Sequence, residues 1–402
     1  MNCKYWRIQD SKDNWLGVIL FFLSPMASIP FLIYGVYRNQ YKNLVWISLT
    51  LALIALISPL FADSYRHGLQ YMSYSHTTAT DQFIYSNGKD FIFYTLSHFF
   101  AVNGIPFEFV KGIFTFICYQ VSFFLFKKVL EHNQYIYSNT VLKFNVFLIF
   151  LLSVPFLWIV NGIRMATAGY ILALGWYYLY DKKIWLGVLC YIVAQSIHFS
   201  SMLFLPMMLY TIFRPFKIGK KMFIACFVML LFAGNIIQIV LPKEFIYALN
   251  MESTVDFYIN RSEENFADTM SVNGFIAMIL ERVPLIVLLF YLVANKMFFS
   301  SKDKSIMYLG YIFIVLFLPF TILFQKYCLM FIPIALFLYL INEKGETKCL
   351  KWVTVSCFVV SLAYLYGYRE MLLATPFYIL FLNPFSIIFS VDTIESIKNA
   401  IF

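Results

Sequence analysis

The chain predicts an all-α, polytopic transmembrane helix bundle of about eleven or twelve spans, and three observations carry that prediction. Apolar runs of about twenty residues recur from Val18 to the neighbourhood of Gly367. Hydrophobic residues make up 61% of the 402 residues and charged residues 13%. Mean hydropathy is +0.75, more apolar surface than an aqueous fold can hide. Nearly all the charge falls in the short segments between the runs. A hydrocarbon core about 30 Å thick takes ~20 helical residues per crossing. Backbone groups in lipid must then be bonded within their own segment, which selects helices.

In chain order, spans are expected near 15–37, 44–62, 106–126, 144–160, 165–180 and 184–197. Six more are expected near 200–213, 222–241, 274–295, 306–324, 327–341 and 352–367. The mixed-charge residues 1–14 lead into the first run without a small-residue cleavage pattern, so that run is expected to stay as an anchor. Pro25 and Pro30 interrupt it, and a re-entrant hairpin with eleven spans is the alternative. The loops are too short to fold alone, so residues 1–402 read as a single membrane domain. Five of the seven cysteines (Cys118, Cys190, Cys226, Cys328 and Cys357) lie inside apolar runs and read as small buried hydrophobes.

The formal charge of +9 is explained by topology rather than by a polyanionic partner. Seventeen of the thirty Lys and Arg fall in alternate loops on one side, among them Lys127, Lys128, Lys182, Lys183, Arg214 and Lys217. Eight fall on the other side, with three more in the N-terminal tail. Short loops rich in Lys and Arg stay in the cytoplasm, so the crowded side is cytoplasmic and nucleic acid is not an expected partner.

Two connections exceed the rest in length, 63–107 and 242–273, and both fall on the non-cytoplasmic side. Long loops held by a rigid scaffold are where binding and catalysis concentrate. Residues 90–102 (DFIFYTLSHFFAV) are apolar but too short to span, and read as an interfacial helix entered through Lys89. Asn103, Gly104 and Pro106 end it. The second loop carries Tyr258, Asn260, Arg261, Glu263, Glu264 and Asp268, polar enough to be solvated.

Polar groups near membrane depth are costly and need a reason. Arg164 occupies a bend in Asn161-Gly162-Ile163-Arg164 with no other charge nearby in sequence. Its fork suits a pyrophosphate, although snorkelling to the interface is the plainer alternative. His198 sits at the next outer bend among Gln195, Ser196, Ser200 and Ser201, aimed at the same face. Asp63, Arg66 and His67 place acid, cation and imidazole at the outer end of the second span, where a solvated helix end is the alternative. Lys326, with Gln325 and Tyr327, is expected to cap another outer bend. Glu281 and Arg282 are adjacent, point about 100° apart on a helix, and so should seek partners on other helices as bundle glue. A Gly-rich phosphate loop, HExxH, GxSxG and metal-ligand spacing are all missing, so neither a metal nor a cofactor is expected.

These residues resemble a known pattern. Asn161-Gly162-Ile163-Arg164-Met165-Ala166, a span, the turn at 181–183, another span and Ile197-His198-Phe199-Ser200 resemble the core of bacterial O-antigen and exopolysaccharide polymerases. Within that Wzy-type group the EpsG-like branch is most similar. Asp63-Ser64-Tyr65-Arg66-His67 and Lys89-Asp90 fit the same pattern, so the resemblance covers roughly residues 60–210. It departs at the late bend, where an Arg would precede the tyrosine and this chain has Gln325-Lys326.

The resemblance implies a glycosyltransferase at the periplasmic face of the bacterial inner membrane, with 63–107 and 242–273 as periplasmic loops. It would join oligosaccharide repeat units carried on undecaprenyl pyrophosphate. Implied partners are that lipid-linked oligosaccharide, the lipid bilayer, a flippase and a chain-length regulator. Arg164, His198 and Asp63 are then the expected catalytic residues. Arg66, His67, Asp90, Asn161, Arg261, Lys326 and Tyr327 are the expected substrate-binding set. Arg164, helped by Arg66 or Arg261, would stabilise the leaving diphosphate; His198 or Asp63 would be the base for the acceptor hydroxyl, and His198 could instead be a further phosphate ligand. A ligase that transfers finished chains to a lipid acceptor shares most of these features, and a lipid-linked sugar flippase shares fewer.

Overall fold

The computed structural model describes residues 15–60, 62–74, 90–240, 280–294, 299–318, 321–345 and 347–389. The second large loop with Arg261 lies outside the described residues, as does Lys89. Among the described residues every regular element is a helix.

The first apolar run is two helices, Trp15–Leu23 (α1) and Pro25–Tyr37 (α2). Ser24 caps α2, its Oγ accepting the Ala27 N–H at 3.3 Å, and Pro25 takes the first helical position, where a missing N–H costs nothing. The chain reverses there, because a Cβ placed on Gly17 would stand 3.0 Å from Leu32. In one continuous helix those residues would be roughly 22 Å apart. The run is therefore a hairpin, the alternative its prolines raise, and not a single continuous span.

Asn43–Ile57 (α3), Ala62–Tyr74 (α4) and Phe91–Val102 (α5) follow. Phe107–His132 (α6), Thr140–Leu152 (α7), Phe156–Asn161 (α8) and Ile163–Tyr180 (α9) form the middle of the chain. Ile184–Ile197 (α10) leads through a 3₁₀ turn at Phe199–Phe204 into Leu205–Phe213 (α11) and Lys220–Val240 (α12). Val283–Val293 (α13), Ser301–Phe317 (α14), Thr321–Asn342 (α15) and Thr347–Gly367 (α16) complete the long elements. Local chemistry sets several starts. Asn139 caps α7 by accepting from Val141 N and Leu142 N, and Ser300 caps α14 by accepting from Asp303 N.

Among the described residues four segments are long and apolar enough to cross a membrane by length and composition: Phe107–His132, Thr140–Asn161, Leu323–Asn342 and Lys348–Gly367. Six other apolar helices among the described residues have 10–17 residues. The expected bend at Lys326 is absent. Gln325, Lys326 and Tyr327 continue α15, since none of them interrupts helical hydrogen bonding.

The core is centred on α15, which is buried along most of its length, with α9 packed against it and against α6 and α10. Small residues allow these approaches: a Cβ on Gly169 would sit 3.2 Å from Met330 Cα, and one on Gly175 would sit 3.2 Å from the Gly187 carbonyl oxygen. Lys111 in α6 is fully buried, and its Nζ donates to the Ser58 carbonyl at the end of α3. A cation on the last free carbonyl of a helix meets the negative end of its dipole.

Candidate functional site

Five elements bring polar side chains to one end of the bundle. They are the start of α4, the start of α5, the α8–α9 junction, the turn after α10 and the first turns of α15. Contacts of α5 with α4 and α10, of α8 with α4, and of α15 with the 3₁₀ turn hold them together.

Asp90 is the centre of the arrangement. It occupies the N-cap position of α5 but makes no side-chain cap, and its backbone is left-handed with φ of 53°. An N-cap hydrogen bond stabilises a helix by about 1 kcal/mol, and left-handed backbone is tolerated by Asp at a cost. The carboxylate is committed elsewhere. Its Oδ2 accepts from Arg164 Nη1 at 2.5 Å, and its Oδ1 accepts the Phe199 N–H at 2.6 Å. Both partners lie far along the chain, on α9 and at the turn after α10. Burial is the first influence on this carboxyl and raises it, with Arg164 and the Phe199 N–H pulling it down again.

Arg164 lies in the first turn of α9, where Gly162 separates it from α8, and its side chain is 10% exposed. Beyond Asp90, its Nη1 reaches the Tyr94 hydroxyl at 3.4 Å. The guanidinium carbon is 5.2 Å from the Phe93 ring centre and 5.8 Å from that of Tyr94. A weakly hydrated cation over aromatic faces is stabilised without water. Arg164 is thus buried and oriented rather than snorkelling.

His198 is buried at the end of α10, with Nδ1 3.8 Å from Asp90 Oδ1. Burial pushes its imidazole well below the ordinary value, and the charges of Lys326 and Arg164 push the same way, so the ring is neutral. The Ser200 N–H donates to Nδ1 at 3.4 Å, which leaves that nitrogen as acceptor and puts the proton on Nε2. The hydroxyls of Ser200 and Ser201 are buried and have no hydrogen-bond partner among the described residues.

Asp63, Arg66 and His67 share one face of α4. Asp63 Oδ1 accepts from Arg66 Nη2 at 2.5 Å, and Oδ2 is 3.3 Å from His67 Nε2. Burial would raise the Asp63 carboxyl, but the hydrogen bond to His67 and the charges of His67, Arg66 and Arg164 outweigh it and hold it well below the carboxylate range. Burial also lowers His67, against the pull of Asp63. The His67 ring stands 5.4 Å from Phe93, the same ring that carries Arg164, so Phe93 joins the two groups.

The other expected residues divide. Asn161 is buried and structural: it accepts from Ser64 Oγ at 3.2 Å and donates to the Leu157 carbonyl at 2.9 Å, tying α4 to α8. Lys326 faces the site, its Nζ 5.5 Å from the Phe199 ring. Tyr327 is fully buried and stacks on Phe204 with ring centres 4.5 Å apart, inside the packed core. Glu281 and Arg282 meet only loosely, at 3.9 Å. Glu281 accepts from the Tyr364 hydroxyl of α16, and Arg282 lies 4.7 Å over the Phe324 ring of α15. The residues that sequence reasoning passed over are Phe93, Tyr94 and the Phe199 N–H. The available signal was the placement of Phe93 and Tyr94 one turn inside an aromatic helix that opens on an aspartate.

The model of the EpsG family matches residues 64–379. No curated protein and no solved structure matches the chain.

Proposed function

The chain belongs to the EpsG family, and on that premise we propose that it polymerises oligosaccharide repeat units carried on undecaprenyl pyrophosphate at the periplasmic face of the inner membrane. Family membership supports a polysaccharide polymerase-like role, and multiple apolar helices suit a lipid-linked substrate. The observation that carries the finer reading is Arg164 fixed by Asp90 beside a neutral His198.

In the proposed reaction a hydroxyl oxygen of the acceptor unit bonds to the anomeric carbon of the growing chain. The bond from that carbon to the diphosphate oxygen breaks, and undecaprenyl diphosphate leaves with the electron pair. The charge that develops on the diphosphate needs preorganised cations. Arg164 supplies one, with Asp90 as the group that orients it, and Arg66 supplies another at the exposed edge. His198 then serves as a donor, because its proton is on Nε2 in the neutral ring. Asp63, ionised and half-exposed, accepts the hydrogen bond of the attacking hydroxyl and relays its proton to water, since a carboxyl held this low does not keep it.

The test is a gel ladder of surface polysaccharide from a strain deleted for this gene and carrying wild-type or Arg164→Ala copies at equal expression. A ladder with wild type and single-repeat bands with the variant support the reading. Normal ladders with both overturn the role of Arg164. Full-length but unattached chains in the deletion strain would make the protein a ligase instead.

A further inference from the structure

At the opposite end of the bundle lies an open cavity of about 290 Å³ lined by Tyr210, Arg214, Phe216, Lys217, Lys302, Ser305 and Ile306. The walls are built by the chain leaving α11 and by the start of α14. The Tyr210 hydroxyl donates to the Phe216 carbonyl at 2.7 Å, and Ser305 Oγ accepts the Ile218 N–H at 3.2 Å, so the loop is pinned on both sides. Arg214 is held in a left-handed backbone conformation with φ of 48°, and its Nε donates to the Thr211 carbonyl at 3.0 Å. Arg214 is one of the residues that line the cavity.

Position separates this cavity from the candidate site. His198 precedes the 3₁₀ turn and α11, whereas Arg214 follows them. Lys302 lies in the first turn of α14, while Lys326 lies in the first turns of α15, the next helix along the chain from the far end of α14. Seventeen helical residues of α14 put about 25 Å between those ends. The loops on the cavity side are the ones crowded with Lys and Arg, the side expected to face the cytoplasm.

Three cations line the cavity. No acidic residue lines it: Asp303, which the charges of Arg214 and Lys302 reach, is engaged by Ser300 Oγ at 2.6 Å. The cationic excess selects an anion. The surroundings select an amphiphile: Phe216 lines the cavity, and Phe213 and Met222, in the same stretch of chain at the end of α11 and the start of α12, are likewise large apolar side chains left exposed. The volume lies just below the roughly 300–1,000 Å³ typical of small-molecule sites, enough for a headgroup but not for acyl chains. Those chains would run outside, over the exposed apolar flank. A soluble phosphate would gain nothing from that flank.

We propose that this cavity binds the phosphate headgroup of an anionic membrane lipid, with Arg214, Lys217 and Lys302 as its ligands and the acyl chains over Phe213, Phe216 and Met222. Such a lipid would fix the α11–α12 loop against α14 from the face opposite the candidate site.

The test is native mass spectrometry of the detergent-purified full chain titrated with phosphatidylglycerol, phosphatidylcholine and inorganic phosphate. Wild type is expected to retain phosphatidylglycerol in preference to phosphatidylcholine. Arg214→Gln with Lys217→Gln and Lys302→Gln should weaken phosphatidylglycerol binding on the order of a hundredfold, since each cation near an anionic surface accounts for roughly fivefold. Lys348→Gln with Lys351→Gln, exposed on the same side but outside the cavity, should leave it unchanged. Equal retention of both lipids overturns the proposal, as does equal binding by the triple variant. Displacement by inorganic phosphate at matching concentration would make it a soluble-anion site and overturn the lipid. Should the triple variant fail to fold, the exposed Lys217→Gln alone should cost about fivefold, and no loss overturns the proposal.

Discussion

At one end of the bundle Arg164 is 10% exposed, bonded to Asp90 and laid over two aromatic rings, whereas at the other Arg214, Lys217 and Lys302 stand open around a cavity. The chemistry is the same and the surroundings differ. In the first case burial removes screening, so the cation needs a fixed partner and has a fixed direction. In the second, water and salt damp each charge within about 10 Å, and the side chains are exposed to an arriving ligand. A preorganised cation suits charge that appears for an instant, while solvated cations suit an anion that is always present.

Breaking the buried pair should have the largest effect. Asp90→Ala leaves a buried guanidinium without its carboxylate and should cost about 3–5 kcal/mol of stability, read as a large fall in melting temperature of the purified protein. A melting temperature equal to that of wild type would show that Arg164 is not held by Asp90. Arg164→Lys keeps the charge and loses the fork. It should fold, yet reduce polymerisation on the order of 100- to 1,000-fold, seen as shortened ladders at equal expression. Ladders of normal length would mean that charge alone suffices there.

The comparison can be sharpened with pH. Burial first, then Lys326 and Arg164, keeps His198 neutral when folded, whereas the unfolded chain binds a proton near 6.5. The unfolded state therefore binds more protons as pH falls through 6.5, and stability should drop on acidification. His67 contributes with the same sign, and the raised Asp90 opposes them both. His198→Gln should flatten the dependence of melting temperature on pH between about 7.5 and 5.5. A slope identical to wild type would rule out a buried neutral ring.

Exposed groups define the small end of the scale. Asp63→Asn disrupts contacts to Arg66 and His67 at a half-exposed position and should cost no more than about 1 kcal/mol. It should nevertheless shorten ladders if Asp63 relays the acceptor proton. Lys302→Gln at the cavity should change stability by less than about 0.5 kcal/mol, and a larger loss in detergent would show that the cavity cations hold the fold itself.

Arg164 and His198 were legible in the sequence because an uninterrupted apolar background makes each polar residue conspicuous. Alternating loops then put both on one side. Their partnership was not legible. Asp90 read as a residue opening a short aromatic helix, and nothing local ties it to Arg164, 74 positions away. Lys326 read as the tip of a bend because a polar pair interrupts an apolar run, but α15 continues through it. Tyr327 read as an outer-face residue, and its ring stacks on Phe204 in the interior.

Composition and the spacing of apolar runs determined, without any coordinates, that this chain is a helical membrane protein with its charge gathered in loops. Those properties follow from what lipid demands of each segment separately. Tertiary structure alone decided that the first run folds back at Ser24, that Asp90 gives up its helix cap for Arg164 and Phe199, and that His198 is buried beside Asp90. Each of those outcomes depends on which helices lie side by side. Burial and partner geometry, rather than residue type, then set the direction and charge of every group in the site.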